Sequence, residues 1–286
     1  TFKNTTERLE HHEEAPSLKE CLHLLATNRP LLMLFLGNIF FVIIKVSEQA
    51  SFYFAYDALF NAKYNGFLDI AKAPGSFLAG IFVPIIIERL GRKADSKKFY
   101  QACCVMGIVL NGLFALCTYN GIMNKGAGQS VSLLTGLMVI VFSAVVTFPL
   151  EFKNLMQKEM EAETVDYVEW KTGKRVEGTM LSIMSFTGKL EGTLSSFICL
   201  QVLARTGYVE HTTDVSTLQN HSTLLGLFLM TTVFPMVGYA LMLIPMHFYN
   251  ITGDSHRRMI KDIMARRAQA GEAAAQEAVA AEAKEG

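Results

Sequence analysis

Long apolar runs alternate along this chain with short polar ones. Leu, Ile, Val, Phe, Met, Ala and Gly dominate six stretches, at about 31–59, 67–90, 99–119, 131–152, 180–204 and 223–248. At about 1.5 Å of helical rise per residue, roughly 20 apolar residues cross about 30 Å of hydrocarbon. The pattern therefore predicts six membrane-spanning helices. A soluble helix keeps a polar face at a 3.6-residue period, and these segments leave too little of one to dissolve. The chain divides into a polar linker at 1–27, a helical bundle at 28–250 and a polar tail at 251–286.

Composition changes this picture little. Hydrophobic residues make up 51% of the 286 positions, close to an ordinary soluble protein; their clustering carries the argument. Formal net charge is zero, so the total says nothing about acidic partners, but the distribution does. Arg29 and the loops at 89–98, 153–175 and 257–267 hold most of the cations outside the linker, while the opposite loops hold only Lys63, Lys125 and Arg205. An even number of spans and this asymmetry place both termini in the cytoplasm of a multi-pass protein of the plasma (inner) membrane. The chain opens polar at Thr1 without a methionine and carries no signal peptide, which reads as a fragment or processed chain.

The five cysteines stand at no metal-ligand spacing and read as small apolar fillers. His11-His12 with Glu13-Glu14 lacks a second ligand pair and reads as solvated linker. Pro30 suits a first helical turn, where its missing N–H costs nothing. Ser255 is a candidate cap for a helix in the tail, whose cations Arg257, Arg258, Lys261, Arg266 and Arg267 suit anionic headgroups. The Ala/Glu-rich end beyond is a solvated helix or disordered. Asn220-His-Ser222 is a glycosylation sequon of low specificity. No Ser-His-Asp set, Walker loop or zinc spacing occurs, so the chain is not expected to be an enzyme and no cofactor or bound metal is implied.

Charges inside the spans carry the candidate chemistry, because an ionisable group in hydrocarbon is expensive unless it is paired or faces water. Lys45 and Glu48 have a pairing spacing and either form a structural ion pair or line a cavity. Asp69 and Lys72 read as a solvated pair near the outer end. Glu151 and Lys153 follow Pro149, which permits a local break in the helix that would still leave them at cavity depth. Lys189 lies about ten residues into its span, near the midplane. It either faces an aqueous cavity or pairs with Glu191 or a neighbouring helix.

The densest charged stretch runs from Glu163 to Glu177. Asp166-Tyr-Val-Glu-Trp-Lys-Thr-Gly-Lys-Arg-Val-Glu-Gly178, followed by Ser185-Phe-Thr-Gly-Lys189, resembles the signature of the glycoside–pentoside–hexuronide:cation symporters, the melibiose permease-like branch of the major facilitator superfamily. The resemblance runs from about Asn28 to Arg258. Glu88-Arg-Leu-Gly-Arg-Lys93 is similar to the superfamily's short basic loop motif. The resemblance alone implies an all-α fold, six transmembrane helices forming the C-terminal bundle of a major facilitator fold, with 1–27 as the central loop between two halves. It likewise implies that Lys189 faces the central cavity and takes part in sugar recognition or cation coupling, and that Ser185, one turn earlier, contacts sugar. Asn154 stands where melibiose permease carries an aromatic, a departure that argues for a different glycoside. By the same resemblance Glu163, Asp166, Glu169, Arg175 and Glu177 form a cytoplasmic gate, with a surface amphipathic helix as the plainer reading; Glu163 is Asp in many relatives. It also implies that the coupling-cation carboxylates lie mainly in the absent N-terminal half, so Lys45, Glu48 and Glu191 are at most additional cavity ionisables.

The expectation is a secondary active transporter that moves a glycoside, pentoside or hexuronide with Na+ or H+ by alternating access. Its partners are the sugar, the cation, the lipid bilayer and the N-terminal six-helix half, and no nucleic acid. The alternatives are a lysolipid-type carrier of the same superfamily branch and a non-transporting membrane scaffold.

Overall fold

The computed structural model describes residues 17–61, 63–90, 95–125, 129–173, 176–210 and 218–285, with backbone alone at 18, 83, 86–90 and 270–285. Among these residues the secondary structure is helical. The helices are α1 (Leu18–Thr27), α2 (Arg29–Tyr53), α3 (Lys63–Leu90), α4 (Ser96–Met123), α5 (Leu133–Thr172), α6 (Glu177–Thr206), α7 (His221–Phe248) and α8 (Gly253–Glu285). α2 runs on into a wider turn at Phe54–Ala58, where the Leu59 N–H reaches back five residues to the Phe54 carbonyl at 2.9 Å. Lys125 covers the carbonyl ends left there, donating to Ala58 at 2.5 Å. Burial pushes the Lys125 ammonium down to about 8.

Local chemistry sets the helix ends. The Asn28 side chain accepts from the Leu31 N–H, and Pro30 sits in the first turn of α2. Asn220 caps α7 by accepting from Thr223 N at 2.7 Å, while its amide donates to the Thr206 carbonyl at 3.0 Å. The sequon asparagine is thus a helix cap that ties α6 to α7. Ser255 does not cap α8 alone. Its hydroxyl accepts from the Thr252 N–H at 2.8 Å while the Thr252 hydroxyl accepts from Ser255 N at 3.4 Å. Thr252 is the cap, and Ser255 closes a reciprocal box.

α2 packs on α7, α7 on α4, α4 on α5 and α5 on α3; α6 flanks the other side of α2. Close approach depends on small residues. A Cβ at Gly107 of α4 would lie 2.5 Å from the Tyr239 ring of α7. Apolar side chains fill both ends of the bundle: Leu34, Phe41, Met156, Met242 and Tyr249 at one, Phe54, Leu59, Phe114, Val139 and Leu227 at the other. Large apolar side chains also stay outside, among them Phe77 on α3, Leu116 on α4, Leu137 on α5 and Phe197 on α6. Among the described residues, four helical segments are long and apolar enough to cross a membrane: Arg29–Ala58, Ser96–Met123, Leu133–Thr172 and His221–Phe248.

α5 departs from expectation. Pro149 does not break it, and the charged stretch after 152 is its continuation, giving one helix of 40 residues. At 1.5 Å per residue this is roughly 60 Å, about twice a hydrocarbon core. Its charged end therefore projects beyond the apolar zone until Gly173 stops it with φ 71, a left-handed conformation that suits glycine.

Candidate functional site

Three helices carry polar residues one turn apart on otherwise apolar surfaces. α2 has Ser47, Glu48 and Ser51; α3 has Lys72 and Ser76; α5 has Ser143, Thr147 and Glu151. Spacings of three and four residues keep each set on one face. The packing of α3 on α5, beside α2, turns these faces toward one another. Together with Thr231 of α7 they line a cavity of about 250 Å3, whose apolar walls include Phe54, Leu68, Phe114 and Leu150. Ser143 and Thr147 are buried, Glu151 and Lys72 half-buried, and Glu48 exposed. Hydroxyl and carboxyl oxygens, one ammonium and two aromatic rings around a small cavity suit a ligand with several hydroxyls and an apolar ring face.

Lys45 does not pair with Glu48. Its Nζ lies 3.1 Å from Oε2 of Glu191, across from α2 to α6. Glu191 is buried, so the ion pair is a cross-link between helices, and Glu48 is left to the cavity. Lys72 stays with Asp69 at 3.3 Å, yet the same ammonium lines the cavity, which the solvated-pair reading missed. Lys153 is fully buried on the other face of α5 from Glu151. Its Nζ sits 3.7 Å from the Phe41 ring centroid and donates to Gln157 at 3.1 Å. A cation over an aromatic face is held by the ring quadrupole.

The residues expected to touch sugar fall in two places. Ser185 and Lys189 share an exposed face of α6, opposite the buried Glu191, and they do not line this cavity. Asn154 is half-buried and approaches it, donating to Oε2 of Glu151 at 3.5 Å.

The charged stretch meets α8 at the far end of α5. Glu163 is buried and accepts from Ser96 of α4 at 2.8 Å and from Tyr249 at 3.3 Å. Asp166 lies 3.0 Å from Nε2 of His256. Glu169 accepts from Nε of Arg267 at 3.0 Å. Trp170 donates to Asp262 at 3.0 Å, and its carbonyl accepts from Arg266 at 2.8 Å. Lys97 caps the end of α7 through the Tyr249 carbonyl at 2.6 Å. Glu163, Asp166 and Glu169 are thus brought into one α4–α5–α8 network. Glu177 is exposed at the start of α6, and Arg175 lies outside the described residues. Three tail cations, Arg257, Arg266 and Arg267, face Asp254 or α5. The Asp166 hydrogen bond raises the His256 imidazole above its ordinary value, against the opposing effect of burial.

Sequence reasoning put Glu151 at cavity depth but did not join it with Lys72 and the hydroxyls into one set. The signal was present: Ser143, Thr147 and Glu151 repeat at four residues through an apolar span. The partners on α8 left no such signal, because His256 and Asp166 are 90 positions apart. Among the described residues no group of three His, Cys, Asp or Glu could hold a metal ion.

A family model described as MFS/sugar transport protein matches residues 1–253. An uncharacterized symporter of Bacillus subtilis is 25% identical over 267 residues, 92% of this chain and 53% of its own length. A glucuronide carrier protein homolog of Escherichia coli is 24% identical over 264 residues, 92% of this chain and 53% of its own. An isoprimeverose transporter of Lactiplantibacillus pentosus is 24% identical over 271 residues, 94% of this chain and 52% of its own. The chain spans about half the length of these curated relatives.

Proposed function

From a chain that belongs to the MFS/sugar transport protein family, a family of membrane transporters and not of enzymes, we propose the C-terminal six-helix half of a longer sugar:cation symporter. α2 to α7 are its six spans. α3 and α6 cross as well, their charges offset by partners or turned to water. The whole protein carries a glycoside, pentoside or hexuronide with Na+ or H+, and the halves rock about a site between them. The observation that carries this reading is the polar cavity bounded by Glu48, Lys72 and Glu151 inside an otherwise apolar bundle. A passive scaffold needs no such cavity, and the ring of hydroxyls and carboxyls is wrong for a lipid tail.

Lys189 and Ser185 present their exposed α6 face to the N-terminal half, where they complete the sugar site. The coupling-cation carboxylates belong mainly to that half. The α5–α8 network is the cytoplasmic gate, pairing in one state and separating in the other. Both termini are cytoplasmic, in the plasma (inner) membrane, because the basic residues collect at that end.

The test is uptake of labelled glycosides, pentosides and hexuronides by cells expressing the longer transporter, with and without a sodium or proton gradient. Gradient-dependent uptake of one sugar, lost in Glu151→Ala, is expected. A protein that reaches the membrane and moves none of them refutes the reading.

A further inference from the structure

Another cavity, of about 250 Å3, lies where α1, the start of α2 and the charged end of α5 come together. Leu24 and Val168 are its apolar wall; His23, Asn28 and Lys171 are polar members of its lining. Asn28 is only 4% exposed. Its Oδ1 accepts from the Leu31 N–H at 3.3 Å, which fixes the other branch of the amide as the donor. That donor, Nδ2, is buried and has no partner among the described residues. A buried donor left unpaired is expensive, and in folded proteins it commonly marks a bound water or ion. The groups around it add donors and positive charge. Lys171 has N–H bonds and no lone pair, and His23 has a ring N–H in either tautomer. Both residues are exposed, so a ligand reaches them from water. Thr27 and Thr172 give their protons to the His23 and Val168 carbonyls at 2.7 and 2.8 Å, so they offer lone pairs; the Tyr167 hydroxyl can act either way. Among the described residues no carboxylate lines the cavity. Those nearest along the chain are engaged elsewhere: Glu20 with Ser17 N at 2.9 Å, Asp166 with His256 at 3.0 Å and Glu169 with Arg267 at 3.0 Å. The positive end of α2 lies at Asn28, and Lys171, in the last turn of α5, offsets the negative end of that helix.

Donors from three separate elements, net positive charge and no carboxylate suit an anion with several oxygens. A planar carboxylate presents two. A phosphate monoester presents three around a tetrahedral centre, one for each of His23, Asn28 and Lys171, and its monoanion keeps an O–H for a threonine. We infer that this cavity binds a phosphate monoester, held by His23, Asn28 and Lys171. The helix α1 itself packs on α2 and α6, so the ligand adds a tie from α1 to the end of α5. That end carries Glu163, Asp166 and Glu169, and bracing it makes the cavity an effector site of the gate. The effector role rests on the gate proposed above; the binding itself does not.

The experiment measures binding, without transport, on the longer protein purified in detergent. Radiolabelled glycerophosphate and radiolabelled phosphatidic acid carry the same phosphate monoester, one free in water and one on a lipid. Equilibrium dialysis reads the first and co-purification reads the second. Saturable binding of at least one probe is expected. Asn28→Asp keeps an oxygen to cap the Leu31 N–H, removes the free donor and adds a negative charge; Lys171→Gln removes the cation. Each is expected to weaken binding by about tenfold or more, as loss of a contact to a charged group implies. Glycerophosphate bound in this way identifies a soluble effector, and phosphatidic acid alone identifies a lipid headgroup; both support the site. Binding of neither probe overturns the inference and leaves the amide to an ordered water. Binding that persists undiminished in Asn28→Asp or in Lys171→Gln overturns its assignment to this cavity. Lys171 is exposed, so its variant keeps the test decisive even where Asn28→Asp does not fold. The sugar-carrying reading stands or falls separately, on uptake.

Discussion

Removing the ammonium of Lys45 should damage the protein more than removing the ammonium and its partner together. The Lys45–Glu191 contact is 3.1 Å, with 26% of the lysine side chain and 8% of the glutamate side chain exposed. Opposite unit charges at that separation attract by about 5 kcal/mol at an effective dielectric of about 20. Desolvation of the nearly buried carboxylate offsets a large part of this. The net coupling should then be about 2 kcal/mol, within the range measured for groups in direct contact. Lys45→Met leaves Glu191 buried and unpaired, which should cost about 3 kcal/mol. Glu191→Gln leaves a lysine that still reaches water and should cost less, about 1–2 kcal/mol. The double variant Lys45→Met/Glu191→Gln closes the cycle and should cost about 2–3 kcal/mol, less than the about 4–5 kcal/mol to which the single losses sum. The assay is thermal unfolding of the four proteins purified in one detergent, where about 1 kcal/mol corresponds to a Tm shift of roughly 2–4 °C. Single-variant losses that add in the double variant to within about 0.5 kcal/mol would show that the two side chains do not cooperate, and the interhelical cross-link would be refuted.

Three further outcomes are expected. These 286 residues hold a single tryptophan, and Trp170 donates to Asp262 at 3.0 Å, so the fluorescence of this chain reports the docking of α8 on α5; Asp262→Ala should shift the emission maximum, and an unchanged spectrum would mean the contact does not form. His256 is faced by Asp166, Glu163 and Glu159, and its imidazole is raised mainly by the Asp166 hydrogen bond. Its contribution to docking is therefore fully present below the unfolded value of about 6.5 and lost as pH rises through the higher folded value. Trp170 emission should follow that transition in wild type and not in His256→Gln. Gly107→Ala should lower stability by about 1–3 kcal/mol, because the new Cβ lies 2.5 Å from the Tyr239 ring; detergent unfolding with no loss would place α4 and α7 further apart than described.

The apolar runs made the helices legible, since each long helix meets its own hydrophobic requirement locally. The cap residues Asn28 and Asn220 act on amides three positions away. The four-residue polar repeat on α5 already stated which face was polar. The signature from Asp166 to Lys189 was likewise contiguous, which is why the family was readable from the chain.

What the chain alone could not decide is which distant groups meet. Lys45 has a carboxylate three positions away and takes one from α6 instead, because the α2–α6 packing brings Glu191 closer than the local rotamers bring Glu48. Pro149 reads as a break, yet α5 runs through it for 40 residues, because neighbouring helices hold both sides. The charged end of α5 gains its partners from a tail helix about ninety positions later. The sequence by itself determined the helices, their polar faces and the family, because those depend on contacts within a few residues. Only the tertiary structure decided which charges pair and which line the cavity, because pairing depends on distances between helices that no local spacing encodes.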